Sequence, residues 1–215
     1  MKNSITDVPG IQVGHFTLAA GDTQTGVTAI LPYPLSVRNR KLFIGGFASG
    51  NWNEWTGLQV AQDFGTFSSP IVLCNSTAVG IAYDALISFG HERDEGLPID
   101  NAWPPLVIGL DDGYLNDLRQ RRLTHDQVLQ VIKQANANAV ACGSVGIGRG
   151  LCALGAKGGC RGCFSRHQNR CKRIYTWCVD RCQWGHDKNS KKFTAGDFAD
   201  AKFGGGGGHG FSSPA

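Results

Sequence analysis

Three stretches of the chain carry residue types able to do chemistry. Asp111-Asp112, followed by Asp117, gathers carboxylates of the kind used in acid–base or metal work. The competing reading is a solvated loop, with Asn116 and Asp117 as turn formers after an apolar strand. Cys160-x2-Cys163 and Cys178-x3-Cys182 are ligand-like pairs 14 residues apart, with His167 and His186 nearby. Tetrahedral zinc takes four soft ligands from two such knuckles; the alternative is that these cysteines were never selected as cysteines. The run Gly143-Ser144-Val145-Gly146-Ile147-Gly148-Arg149-Gly150 could cradle an anion on backbone N–H groups. Gly148, Gly150 and Ala153 even fit the GxGxxA form of a dinucleotide fingerprint. No convincing strand precedes the run, no acid follows at the right distance, and no Lys-Ser/Thr pair closes it. It reads instead as a tight turn with close backbone packing. Asn75-Ser76-Thr77 matches a glycosylation acceptor but reads more simply as a helix cap. His15, His91 and His125 are isolated and receive no role, and the five Trp read as core or pocket lining.

The elements that must position these residues are those of a layered α/β domain. Val27–Leu31, closed by Pro32, and Leu42–Ile44, ended by Gly45-Gly46, are β-rich runs. Pro70–Cys74 and Pro105–Gly109 are short apolar runs led by Pro, which suit buried strands better than helices. The best helix covers 125–137. Thr124 and Gln127 form a capping box there, and Leu123 and Val128 are spaced for a hydrophobic staple. Val128, Val131, Ile132 and Ala135 then make one apolar stripe. Further helices are expected from about Thr77 to Ser88 and from about Glu54 to Asp63. No internal repeat is evident. Residues 160–192 show neither period, and the Gly-rich segment 193–215 is expected to be disordered.

Composition narrows the function classes. The 215 residues are 41% hydrophobic, enough for a real core in one domain plus a tail. No stretch is long and apolar enough to span a membrane, and the opening Met1–Asp7 has no apolar signal core. The expectation is therefore a soluble, cytoplasmic protein with neither a membrane nor a nucleic-acid partner and no cofactor. The net charge of +4 is unevenly spread. Residues 1–160 hold 11 Lys/Arg against 13 Asp/Glu, a net of −2, whereas 161–215 hold 10 against 4, a net of +6. Five of the eight cysteines crowd into Cys160–Cys182. Such a break separates two kinds of sequence, 1–159 and 160–215.

Six motifs in order resemble the DmpA-type aminopeptidases, the L-aminopeptidase/D-esterase and β-peptidyl aminopeptidase family. They are Ile5–Ile11 with Val13-Gly14-His15; Thr25–Pro32; Asn53–Leu58, similar to NGEMTGL; Ser69–Ser76, similar to SPIVLTNT; Asp112–Asp117, similar to DGYLND; and Gly143–Gly150 with Lys157-Gly158-Gly159, similar to GNVGGGTGM…KGG. Each is weak alone; together, over about 155 residues, they are strong. The resemblance implies a four-layer αββα sandwich and a precursor that cuts itself before a Ser. That Ser then carries both the nucleophilic hydroxyl and an α-amine able to act as base. It implies peptide or amide substrates with a free amino end, held in part by Asn53, Glu54, Asn75 and Asp112. An intact member is expected as a homo-oligomer.

The chain departs from that pattern in three places. Gly109-Leu110-Asp111 stands where many members have Glu-x-Tyr, so Asp111 is a positional stand-in for the Tyr. The QAN motif, whose Asn serves the oxyanion, is missing. So is the segment around the cleavage Ser; Ser212-Ser213 does not resemble it. The fold expectation is accordingly an incomplete αββα sandwich, truncated and without peptidase activity. Back-translation from Cys160, read one nucleotide on, lets the codons of Cys163–His167 spell Ala-Ser-Arg-Val, which follows KGG in the family. The codons of Gln183-Trp184 allow only Asn or Ser, then Gly, as in QAN-x-G. A single-nucleotide frameshift near codon 160 is the expected origin of the tail. The alternatives are a zinc knuckle at Cys160, Cys163, Cys178 and Cys182, or an ordinary divergent tail.

Overall fold

The computed structural model describes residues 4–32, 42–46, 54–94, 103–153, 156–160, 164–168 and 173–177. In chain order its elements are β1 (Ile11–Ala20), β2 (Thr23–Pro32), β3 (Leu42–Phe43), β4 (Glu54–Trp55), α1 (Leu58–Phe64), β5 (Thr66–Phe67), β6 (Ile71–Asn75), α2 (Val79–Arg93), β7 (Leu106–Leu110), α3 (His125–Gln134), β8 (Cys152–Ala153), β9 (Ala156–Lys157), β10 (Phe164–Gln168) and β11 (Arg173–Trp177). Five strands form the main sheet in the order β1-β2-β6-β7-β4. β1 and β2 make a long antiparallel hairpin from Ile11↔Pro32 to Ala20↔Thr23. β6 pairs antiparallel with β2 and parallel with β7, with α2 crossing between the parallel strands. β4 closes the far edge through Glu54↔Gly109 and Trp55↔Ile108.

Alternation along the strands divides the core in two. Val27, Ala29, Leu31, Val72, Cys74 and Val107 face the helices, against Ala82, Ala85, Leu86 and Phe89 of α2 and Val128, Val131 and Ile132 of α3. Val13, Ile30, Leu73, Ile108 and Leu110 face the other way, under Ile5, Val8, Ile147, Leu151 and Cys160. Both faces are therefore buried, which explains why β6 and β7 read as continuous apolar runs. Each fully buried aliphatic side chain contributes about 1.5–3 kcal/mol. The described residues thus form one helical layer on one sheet, whose second face is covered by loops.

Most expected elements are present, with shifted boundaries. α3 starts at the predicted capping box, with Gln127 N–H donating to Thr124 Oγ1 and Thr124 N–H to Gln127 Oε1. It ends at Gln134, three residues early, with Ala135 as its C-cap but still packed against the core beside Val128, Val131 and Ile132. The helix expected from Glu54 begins only at Leu58, because Glu54-Trp55 is drawn into the sheet edge. The helix expected from Thr77 begins at Val79 after a short 3-10 turn and runs on to Arg93. β1 went unrecognised: Gly14 faces α3 so closely that a Cβ there would lie 3.2 Å from Val131 Cγ1, and a glycine weakens any strand pattern. Beyond residue 160, β10 and β11 pair with each other where the sequence shows no strand period.

Candidate active site

The parallel pair β6–β7 brings Asn75 and Leu110 side by side at its carboxyl end, the usual place for a ligand crevice in a parallel arrangement. Asp111 and Asp112 follow Leu110 directly, and Glu54 pairs with Gly109 one residue earlier. The sheet thus gathers three of the four predicted substrate-binding residues, Glu54, Asn75 and Asp112, at one end. Asn53 lies outside the described residues.

A buried polar lattice holds this end together. Asp112 is 1% exposed. Thr25 Oγ1 donates to its Oδ2 at 2.5 Å, and Asn116 Nδ2 to its Oδ1 at 3.2 Å. Asn75 Nδ2 donates to Thr25 Oγ1 at 3.1 Å, and Thr77 Oγ1 to Asn75 Oδ1 at 2.9 Å. Asn116 Oδ1 in turn accepts the Gln24 backbone N–H at 3.0 Å. Burial pushes the Asp112 carboxyl above the usual carboxylate range; the hydrogen bonds from Thr25 and Asn116 oppose this, and the neighbouring Asp111 charge adds to it. Burial, with the charges of Asp112 and Glu54, pushes the Cys74 thiol up to about 12, which leaves it unreactive near neutrality.

Two sequence expectations are corrected here. The acidic stretch does not act as one solvated loop, because Asp112 is interior while Asp111 and Asp117 are not. Asp117 is held down to about 2, chiefly by its hydrogen bond to Arg119. Asn75 does not cap the following turn either; it occupies the N-cap position, but its side chain is committed to Thr25 and Thr77.

The glycine run packs on the sheet as a tight turn, as its sequence implies. Gly146 sits at φ 54, where a Cβ would also lie 2.8 Å from His15 Nδ1. Gly150 lies against the acidic loop, since a Cβ there would fall 2.7 Å from Asp112 Cβ. Lys157 Nζ ties the turn by donating to the carbonyls of Gly148, Leu151 and Gly158 at 2.7, 3.2 and 2.6 Å. Arg149 Nε donates to Gln24 Oε1 at 2.6 Å. On the face opposite the helices, His15 Nδ1 is 2.9 Å from Thr28 Oγ1, which is 3.7 Å from the buried Cys160 Sγ. Burial lowers the His15 pKa, with the Ala141 backbone acting the other way. His15 is thus a structural tie that its isolation in sequence concealed. Cys160 is core, bonded through its backbone to Gly143; Cys163, Cys178 and Cys182 lie outside the described residues. Among the described residues no three His, Cys, Asp or Glu are grouped to hold a metal.

The profile of peptidase family S58 matches residues 3–179. The chain belongs to that family, the DmpA-type aminopeptidases. Among S58 relatives, the β-peptidyl aminopeptidase BapA of Sphingosinicella microcystinivorans is 33% identical over 172 residues, 74% of this chain and 41% of that protein. Solved structures are also similar. A protein from Pyrococcus horikoshii OT3 matches with TM-score 0.72 at 32% identity, over 81% of this chain and 52% of its own. The L-aminopeptidase D-Ala-esterase/amidase of Ochrobactrum anthropi, described as a variant of the Ntn hydrolase fold, matches with TM-score 0.66 at 30% identity, over 73% and 46%. The chain spans about half the length of these relatives or less. Sequence reasoning missed Thr25 and Asn116 as partners of Asp112, and Gln24 as a partner of Asn116. Their one available signal was the polar start Thr23-Gln24-Thr25 of β2, ahead of its more apolar continuation.

Proposed function

We propose that residues 4–160 supply the substrate-holding part of an aminopeptidase acting on peptides or amides with a free amino end. The observation that carries this reading is the Thr25–Asn75–Asp112–Asn116 lattice, which fixes the loop after β7 and leaves the Asp111 carboxylate outside it. A fixed carboxylate beside two parallel strand ends is suited to a substrate ammonium group. Asp112 then serves by holding the loop, not by touching substrate. By family membership the nucleophile would be a Ser released by self-cleavage, and no segment of these 215 residues resembles that Ser. The chain is therefore expected to bind small amino-terminal amides without turning them over.

Titration of isotopically labelled protein with β-alanine amide tests this. Shifts confined to residues 75–77 and 110–117, weakened by Asp111→Asn, are the expected result. No shifts, or shifts confined to other regions, would overturn the reading. Turnover of aminoacyl-p-nitroanilides, or a self-cleaved pair of bands on a denaturing gel, would overturn the expectation of inactivity while supporting the family chemistry.

A further inference from the structure

His15 sits under the glycine turn with one ring nitrogen engaged and the other not. Its Nδ1 is 2.9 Å from the hydroxyl of Thr28, its cross-strand partner, and that hydroxyl is 3.7 Å from Cys160 Sγ. Its Nε2 is buried and has no hydrogen-bond partner. The turn closes directly over the pair, since a Cβ on Gly146 would meet Thr28 Oγ1 and would lie 2.8 Å from His15 Nδ1. Few bonds hold the turn there. Gly146 N–H donates to Thr17 Oγ1 at 2.8 Å, and Gly143 and Cys160 exchange N–H···O bonds of 2.7 and 2.8 Å.

This seat suits a neutral imidazole only. In an imidazolium both nitrogens are donors. Among the described residues Thr28 Oγ1 alone stands within hydrogen-bonding distance of the ring, so a second proton would leave a buried, charged N–H without an acceptor. The Ala141 backbone favours the charged ring, but burial outweighs it, and no carboxylate is among the influences on it. β1 and β2 carry no Asp, Glu, Lys or Arg. The cations of the turn point elsewhere, Arg149 to Gln24 and Lys157 to the carbonyls of Gly148, Leu151 and Gly158. Cys160, reached through Thr28, is the remaining titratable neighbour.

We propose that His15 is an acid-released latch: the neutral ring lets the glycine turn sit on the β1–β2 hairpin, and the doubly protonated ring lifts the turn away. The consequence reaches the acidic loop, because the stretch Gly146–Arg149 leads straight to it. Gly150 lies against Asp112, and Arg149 holds Gln24, whose backbone N–H is bonded to Asn116. Burial sets the sign. It holds the ring below its ordinary 6.5, so the latch is fully closed above that value and opens as pH falls through the lower, folded one. Asp112 works in the opposite sense, since its proton favours the folded chain in acid. Acid therefore frees the turn while the Thr25–Asp112–Asn116 bonds remain.

Hydrogen exchange of the full chain, corrected for intrinsic rates and followed from about pH 7.5 down to about pH 5, tests the proposal. The amides of Gly143, Gly146 and Cys160 should lose protection by up to about tenfold per pH unit, the limit for one proton. Ile132 in α3 and Leu73 in β6 should keep theirs. In His15→Asn, which keeps a polar atom close to the ring Nδ1 and cannot be charged, the pH dependence at those three amides should vanish. The wild-type ring supplies a measurement that needs no variant: its NMR shifts should titrate below the ordinary value, with the same midpoint as the loss of protection. Protection unchanged by acid overturns the latch. So does a loss that persists in His15→Asn, or one that α3 and β6 share, because the proton would then act elsewhere or on the whole fold.

Discussion

Asp112 is governed by its burial and by the two side chains that donate to it. A carboxyl that is 1% exposed makes sense only with its donors in place, and Thr25 and Asn116 provide them. Asp112→Ala leaves that hydroxyl and amide without an acceptor in the interior. The expected loss is about 2–4 kcal/mol of stability, measured by urea denaturation. The pH dependence has an unusual sign. Because burial raises the folded-state pKa above the ordinary 3.8, the folded protein holds a proton that the unfolded chain has already released. The stabilisation is complete below the unfolded value and is lost as pH rises through the folded one. Wild-type protein should therefore lose stability relative to Asp112→Asn as pH climbs from about 4 through that window. A difference that grows in the opposite direction would show that the Thr25 and Asn116 hydrogen bonds outweigh burial.

Elements were legible in proportion to how locally they are determined. α3 was readable to the residue at its start and to within three at its end, because a capping box and an apolar stripe act locally. β6 and β7 were readable as apolar runs, since burial on both faces leaves Asn75, at the end of β6, as their one polar position. β1 and β4 were not, because what makes them strands lies elsewhere: β2 across a ten-pair register for one, Gly109 and Ile108 for the other. The site divides in the same way. Asn75, Glu54 and Asp112 could be named by motif, but the Gln24 and Thr25 contacts close over more than 80 residues of chain and leave no local trace. The glycine turn makes a prediction at this scale. Gly146 combines a positive φ with contact against Thr28 and His15, so Gly146→Ala must both strain the backbone and displace the β1–β2 hairpin. A loss of about 2–4 kcal/mol is expected, against a small change for Gly80→Ala, where a Cβ meets nothing within 4 Å. Equal effects in thermal melts would show that the turn is not held against the hairpin.

For the molecule as a whole, the question is where the selected sequence stops. The family profile runs to residue 179, yet the aligned region of the BapA relative covers 74% of the chain, and the charge balance changes sign close to residue 160. Cys160 still belongs to the core and bonds to Gly143. After it come nine Lys/Arg between 161 and 192, which no compact structure can bury unpaired. Among the described residues β10 and β11 pair only with each other, and an isolated two-stranded hairpin is marginal in water. If a frameshift near codon 160 produced this segment, brief trypsin treatment should cut first between Arg161 and Lys192. A fragment ending close to Arg161 should then persist, with Lys133 in α3 untouched. Resequencing codons 155–190 should recover, in the restored frame, a continuation through Ala-Ser-Arg-Val and a QAN-like segment. The opposite outcome is equally concrete. Protection of 161–192 matching that of α3, with about one zinc per chain that Cys163→Ser removes, would mean that Cys160, Cys163, Cys178 and Cys182 were selected as ligands. The tail would then be a metal-built addition to the S58 sheet.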